Sequence, residues 1–413
     1  MYHERVSMSA PVVSTKPRLL LVGAGPFQLD ILRAARRYAE VAVLDGSPHA
    51  PGLALADIAR VVDIADVARV VDVARELQVS GVVTAASDVA VPAVSAVVRA
   101  LDLPGLAPEA ALCCRDKLEC FRKLVAAGHR VPMTVPVADA TEAVWAVTQV
   151  GGYPAIVKPR RGGGGRGVTV VRSIDDLEPA LACARRAYGP GPHGVLVQEF
   201  IAGRSVGVEA FFYQNELACA FVLDDQFESG YVSPAGHSLP STLPPVLEQS
   251  VVSAIAALGR TLGLSAGPAN FDLRLVEGET ILLEVNPRLG GSSISDLIRH
   301  AYGVDLPEAT VYAALSNDPR PLLVRNKLSP TAARLILKHA HGIAHLNDAQ
   351  GTFSDLPGVI ALDLLVQEGE NAGLRVDEWT IAGRTIVRAN DSHAAAELAE
   401  RVASAVAARI ELR

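Results

Sequence analysis

Asn270 to Ser293, NFDLRLVEGETILLEVNPRLGGSS, is the stretch whose reading decides the fold. Two strand-like runs flank Glu277-Gly278-Glu279, a short loop with a glycine, and the pattern is that of a β-hairpin. Side chains alternate along a strand. Asp272 and Arg274 therefore share one face of the first run, and Glu284 and Asn286 one face of the second, with Leu273, Leu275, Leu283 and Val285 on the other. A three-residue loop sets Val276 opposite Thr280 and, counting outward, Asp272 opposite Glu284, so that two carboxylates and an amide oxygen converge. Like charges facing each other across a ladder are unfavourable, and a hard cation shared with phosphates is the usual reason to tolerate them. A solvated polar face is the alternative against which the rest of the chain is weighed.

The 413 residues leave room for two or more domains and a sizeable core. Half are apolar and one fifth charged, the make-up of a globular enzyme rather than of a disordered or fibrous chain. No apolar run approaches the roughly 18 residues of a membrane span, and MYHERVSMSAPVVSTKPR at the start lacks the apolar core of a signal peptide. The expectation is a loose leader and a cytoplasmic protein. Five cysteines, odd in number and without CxxC spacing, suggest buried free thiols rather than disulfides or zinc. A formal charge of −7 with no basic run argues against a nucleic-acid or anionic-membrane partner. Arg160, Arg161 and Arg166 cluster around glycines, which points to a small anionic ligand instead.

RLLLVG, GAGPFQ, a helical run and VAVLD open the chain as a βαβ unit. Gly23-x-Gly25 with Asp45 downstream has part of a dinucleotide-binding fingerprint, but Gln28 stands at the third glycine. Asp88 follows the strand GVVTAAS, where open α/β sheets place ligands; capping a helix that begins near Val89 is its other reading. Pro108 to Ala127 reads as one helix carrying Lys117. The strand AIVKP then places Lys158 before four glycines, 162–165, flanked by Arg161 and Arg166. Bare backbone N–H groups at Gly163, Gly164 and Gly165 can approach phosphate oxygens, although G-K-[ST] is absent and this is no Walker loop. Glu199, ending the strand VLVQEFI, and Glu209 are acids in apolar strands that need a partner. His237 falls in a long loop rich in Gly, Pro and Ser, where it could orient a substrate or shuttle a proton.

In order, Lys117, Lys158, the glycine loop, the QEFI strand end, and Asp272, Glu284 and Asn286 followed by Pro287-Arg288 resemble the ATP-grasp superfamily, from about residue 17 to the end. The resemblance implies an α/β and α+β multidomain fold: a Rossmann-like domain at 17–108 that carries no dinucleotide, an ATP-grasp core at 109–320 with a mobile lid subdomain at about 133–198, and a C-terminal α+β subdomain at 321–413. It also implies roles. Lys117, Lys158 and the glycine loop with Arg166 would contact ATP, Gln198, Glu199, Phe200 and Ile201 would hold adenine with Glu199 on its exocyclic amine, and Glu209 would sit near the ribose. Asp272, Glu284 and Asn286 would hold Mg²⁺, or Mn²⁺ in its place.

Biotin-carboxylase-like members end the segment after their metal motif in a Glu-His pair, whereas this chain has Leu289 to Ser293, LGGSS. With GHSLP, that run is similar to the carboxylate-amine ligases that condense L-amino acids. Many of those place a His and a Glu around the metal where this chain has NFD, and Asp shortens the arm by one methylene. The resemblance then implies an ADP-producing ligase acting through an acyl phosphate on a small carboxylate and an amine. Arg288, Lys158 and His237 would be catalytic, and Asp88, His237, Arg288, Gly290, Gly291 and Ser292 would contact substrate. A purine-pathway carboxylase or formyltransferase and a non-catalytic nucleotide-binding regulator are the alternatives. Amphipathic N-terminal helices permit a homodimer.

Overall fold

A computed structural model describes residues 16–187, 194–347, 351–371 and 375–413; the expected leader lies almost wholly outside them. The first unit is a parallel sheet of β1 (Arg18–Val22), β2 (Glu40–Asp45), β3 (Ile58–Val61) and β4 (Gly81–Val83), in the order β3-β2-β1-β4. Its central strands are near-continuous apolar runs because helices cover both faces. Asp45 spends its carboxylate on the backbone N–H groups of Ala24 and Ser47, and the buried Gln28 side chain lies against the glycine turn.

The second unit is β5 (Thr134–Val137), β6 (Ala155–Pro159), β7 (Thr169–Val171) and β8 (Val195–Glu199), an antiparallel sheet ordered β5-β8-β6-β7. Its core, with Val157, Leu181 and Val197 at the centre, is drawn entirely from this segment. The third sheet begins with β9 (Arg204–Tyr213), β10 (Glu216–Gln226), β11 (Gly236–Leu239), β12 (Gly267–Val276) and β13 (Glu279–Asn286). β14 (Thr331–Lys338), β16 (Val359–Leu364), β17 (Arg375–Val376) and β18 (Trp379–Arg388) extend it, while β15 (Ala344–Leu346) pairs with β19 (Ile410–Leu412). Strands from beyond residue 320 thus continue the sheet that carries the hairpin. One face of the sheet packs the helix Pro245–Leu262, and the other joins the first unit through Leu297, Ile298, Phe211 and Phe221. No helix among the described residues is long and apolar enough to cross a membrane.

Three expectations change here. His237 lies on β11, a strand inside the sheet and only 5% exposed, rather than in a solvated loop. GHSL is too short and too Pro-flanked to show a period. Asp88 caps no helix: the next begins at Val91 with Ala90 before it. The helix expected from Pro108 to Ala127 is broken at Asp116, whose extended backbone ends one helix and whose side chain accepts from Glu119 N to start the next at Lys117.

Candidate active site

The hairpin β12–β13 turns on two residues, not three. Glu277 and Gly278 have φ of +52° and +87°, the left-handed pair whose twist suits adjoining strands, and Val276 pairs with Glu279. That register alone would misalign the carboxylates. A bulge restores them: Leu273 pairs with Leu282, Asp272 with Glu284, and Leu283 is the extra residue. Leu282, not Leu283, therefore joins Phe271, Leu273 and Val285 in the core. Burial first, then the facing Glu284, pushes the Asp272 carboxyl up to about 7. One amide terminus of Asn286 lies 3.3 Å from Glu284 Oε1 and 3.1 Å from Asp88 Oδ1. Without a cation that terminus must be the donating nitrogen; a cation would let the amide turn over and offer its oxygen. No group of three or more His, Cys, Asp and Glu among the described residues could hold a metal alone. Two carboxylates and one amide suit Mg²⁺, which commonly completes its octahedron with phosphate oxygens and water.

Two ammonium groups face this pair. Lys117 Nζ lies 3.4 Å from Glu284 Oε2 and donates to the Gly162 carbonyl. Lys158 Nζ lies 3.5 Å from the Leu283 carbonyl, which the bulge turns out of the ladder, and sits over the Phe121 ring. Burial, then the Lys117 charge, brings Lys158 down to about 7. The glycine loop passes directly over them: a Cβ at Gly163 would stand 2.1 Å from Asp88 Oδ2 and 3.6 Å from Glu284 Oε1. Arg160 and Arg161 do not face outward for an anion, because Asp116 takes both, at 2.7 and 3.1 Å. Asp116 was missed, although D-x-x-E before an apolar run is a legible capping signal.

Arg288 is buried and grips Asp88 through Nε and a terminal nitrogen, at 2.9 and 2.8 Å. The chain around it is held from both sides. Ala86 N donates to the Leu289 carbonyl, and Gly290 N to Glu209 Oε1 at 3.0 Å. Glu209 also accepts from Asn270 Nδ2, is fully buried, and is raised by that burial to about 7. Its partners are thus protein groups, which corrects the expected place beside a ribose. Ser292 and Ser293, with φ of +51° and +68°, turn the chain into the helix Ile294–Tyr302. His237 Nδ1 lies 2.9 Å from Asp225 Oδ1, and Ser205 Oγ donates to the other Asp225 oxygen at 2.7 Å. Both Ser205 and His237 bind the carboxylate, so this is no nucleophile relay. The other ring nitrogen of His237 is free among the described residues, and His237 and Arg288 each lie near enough to both Glu209 and Asp272 to favour their charged forms.

The QEFI end lies apart from this group. Gln198 is buried and donates to Thr134 Oγ1, Phe200 is exposed and Ile201 buried. The Glu199 carboxylate accepts from Met133 N at 3.0 Å and meets Arg130 at 3.5 Å.

Residues 114–292 match the family model described as the ATP-grasp domain. This chain carries an ATP-grasp domain. The matched stretch runs from the end of the helix Pro108–Arg115 through β13 and the loop after Arg288, so it contains both lysines, the glycine loop, the hairpin and Gly290-Gly291. Among curated proteins the chain is similar to y4rH of Sinorhizobium fredii, with 26% identity over 70% of this chain and 59% of that one. It is similar to carnosine synthase 1 of Gallus gallus, with 28% identity over 55% of this chain and 25% of that one. The chain thus spans from a quarter to three fifths of these two relatives' lengths. Among solved structures, the L-amino acid ligase of Bacillus licheniformis superposes with a TM-score of 0.78, covering 97% of this chain and 100% of that one at 17% identity. Phosphoribosylglycinamide synthetase of Anaerococcus prevotii gives 0.74, covering 96% and 100% at 21% identity. At such identities the likeness is one of fold, and it extends beyond the ATP-grasp domain to the units on either side.

Proposed function

We propose that the protein is an ATP-dependent carboxylate-amine ligase that joins an amino acid or other small carboxylate to an amine and releases ADP and phosphate. The observation that carries this reading is the convergence of Lys117, Lys158, Asp272, Glu284, Asn286 and Arg288 under the glycine loop. Asp272, Glu284 and Asn286 would hold Mg²⁺, which supplies neutralisation of phosphate charge. Lys117 and Lys158 bind the phosphates of ATP, and a substrate carboxylate attacks the γ-phosphorus in line, giving an acyl phosphate and ADP. Gly163 to Gly165 close over the reacting groups as part of a lid with its own core and keep water from the acyl phosphate.

Arg288 exchanges Asp88 for the developing oxyanion as the amine adds to the acyl carbon. His237, fixed through Nδ1 on Asp225, offers its other nitrogen to the proton the amine loses. The backbone of Gln198 to Ile201 holds the adenine. Names among the relatives support the amide-forming reading: carnosine synthase and L-amino acid ligase both describe condensing enzymes. Paired carboxylates and amines should release ADP and phosphate only when both are present; release of AMP and pyrophosphate would exclude the acyl-phosphate route.

A further inference from the structure

Asp116 is buried, at 3% exposure, where the chain runs extended between the helices Pro108–Arg115 and Lys117–Ala126. Cys114, Cys120 and Leu124 of these helices share a core with the helix Pro245–Leu262 and the hairpin, whereas β6 belongs to the lid, whose core includes none of those residues. The contact across this border is polar. Asp116 Oδ1 accepts from Arg160 Nε at 2.7 Å, and Oδ2 accepts from Arg161 Nε at 3.2 Å and from a terminal nitrogen of Arg161 at 3.1 Å. The main chains add to it: Asp116 and Arg161 form an antiparallel bridge, and Lys117 N donates to the Arg160 carbonyl at 3.1 Å. Burial pushes the Asp116 carboxyl up, but Arg160, the Glu119 N–H and Arg161 together hold it below the usual carboxylate range, so it stays charged.

The place of this contact makes it more than a brace. On one side the next residue is Lys117, whose ammonium donates to the Gly162 carbonyl and faces Glu284 at 3.4 Å. On the other side Arg161 directly precedes the four glycines. A lysine stem is flexible and gives its ammonium no aim of its own. Here Asp116 fixes the root of that stem and the loop carbonyl its tip. We propose that Asp116 is a positioning residue that fastens the glycine loop to Lys117, so that lid closure brings the loop amides and the Lys117 ammonium to the nucleotide phosphates as one unit. This rests on reading the site as one for ATP. The contact is also one that can open: the Arg160 and Arg161 side chains are 29% and 46% exposed, so water can replace Asp116 on them when the lid lifts.

The test titrates the full chain by calorimetry with a non-hydrolysable ATP analogue in Mg²⁺ and, separately, with adenosine, which has no phosphate to position. Asp116→Asn keeps an oxygen to cap the helix Lys117–Ala126 and loses the charge that holds the arginines. It should bind the analogue about tenfold more weakly than the parent and adenosine within about twofold. Arg161→Ala, on the exposed side of the contact, should show the same split, with a smaller cost when added to Asp116→Asn, and Arg161→Lys should lose less than Arg161→Ala. Unchanged analogue affinity in Asp116→Asn overturns the proposal. Equal losses for the analogue and adenosine also overturn it, since Asp116 would then only support the fold. So does an Arg161→Ala cost that is the same in both backgrounds, which would put Arg161 on the phosphates directly. Failure of the parent chain to bind the analogue would sink the ATP reading itself, and the proposal with it, whereas every other outcome bears on Asp116 alone.

Discussion

Glu209 is the residue whose placement differs most from its sequence reading, and its protonation is open to measurement. Its carboxyl, ordinarily near 4.5, is held at about 7 by burial, against the pull of Gly290 N–H and Arg288. Below 4.5 both folded and unfolded states carry the proton. Between 4.5 and 7 the unfolded chain loses it while the folded one keeps it, so this group's contribution lowers stability as pH rises, by on the order of 2–3 kcal/mol, and levels off above. Gln fits without loss, because its oxygen can accept from Gly290 N while its nitrogen donates to a turned Asn270 amide. Glu209→Gln should therefore become more stable than the parent on moving from about pH 5 to about pH 8 in denaturant titrations. A difference between the two proteins that does not vary with pH would show the buried carboxyl to be ordinary. Asp225 gives a second case. Asp225→Asn leaves the His237 ring without its anionic partner, and should lower kcat by about 10- to 100-fold with the ATP KM unchanged. Parallel losses in kcat and ATP binding would mean instead that the strand pair β10–β11 had moved.

A bulge at Leu283 is the element-scale feature on which the hairpin depends, and it explains what was and was not legible beforehand. The pairing of Asp272 with Glu284 could be counted from the sequence, yet the counting reached it through a three-residue loop. The molecule reaches it through a two-residue turn and one extra residue, two departures of one residue that cancel at Asp272. Period-two patterning fixes a face but not an inserted residue, since LLEV reads equally well with Leu282 or Leu283 inward. The long strands, their order and the helix Pro245–Leu262 follow from periodicity, whereas β11 is too short to show any. Likewise the two lysines and the metal-type carboxylates were legible by type and order, but Asp116 and Asp225 act through partners on other elements. Deleting Leu283 tests the bulge. The remaining ladder stays regular, with Leu282 and Val285 inward and Glu284 outward, but the Leu283 carbonyl no longer faces Lys158. Thermal unfolding should shift by only a few degrees while turnover falls by about 100-fold or more. Retention of activity would show that the bulge is a tolerated irregularity.

At the scale of the whole molecule, three units meet at one carboxylate. Asp88 belongs to the first unit, its Oδ1 holds Arg288 after the hairpin, and its Oδ2 faces Gly163 of the lid, so lid position and Arg288 are coupled through a single side chain. The lid also touches the C-terminal segment, where Gly167 N donates to Asp377 Oδ2 at 3.1 Å. Because its apolar core is separate from the others, few apolar contacts oppose its opening, and polar contacts such as these set the closed position. Gly163→Ala places a methyl 2.1 Å from Asp88 Oδ2, closer than real Cβ atoms come, so either the closed lid or the Asp88 carboxylate, which Arg288 holds, must shift. Nucleotide affinity should weaken by about tenfold, measured by displacement of a fluorescent ADP analogue, with the thermal midpoint unchanged. Asp88→Ala makes room for that methyl, so adding Gly163→Ala to Asp88→Ala should cost clearly less than adding it to the parent. Such a cycle isolates the contact, since residues that touch fail to add by about 0.5–3 kcal/mol whereas independent ones add within about 0.5. Additive costs would place the Gly163 effect in loop strain alone, and the lid would then close without reference to Asp88. A non-additive cycle would make Asp88 the point through which nucleotide binding under the lid reaches Arg288, and so the acyl carbon on which that arginine acts.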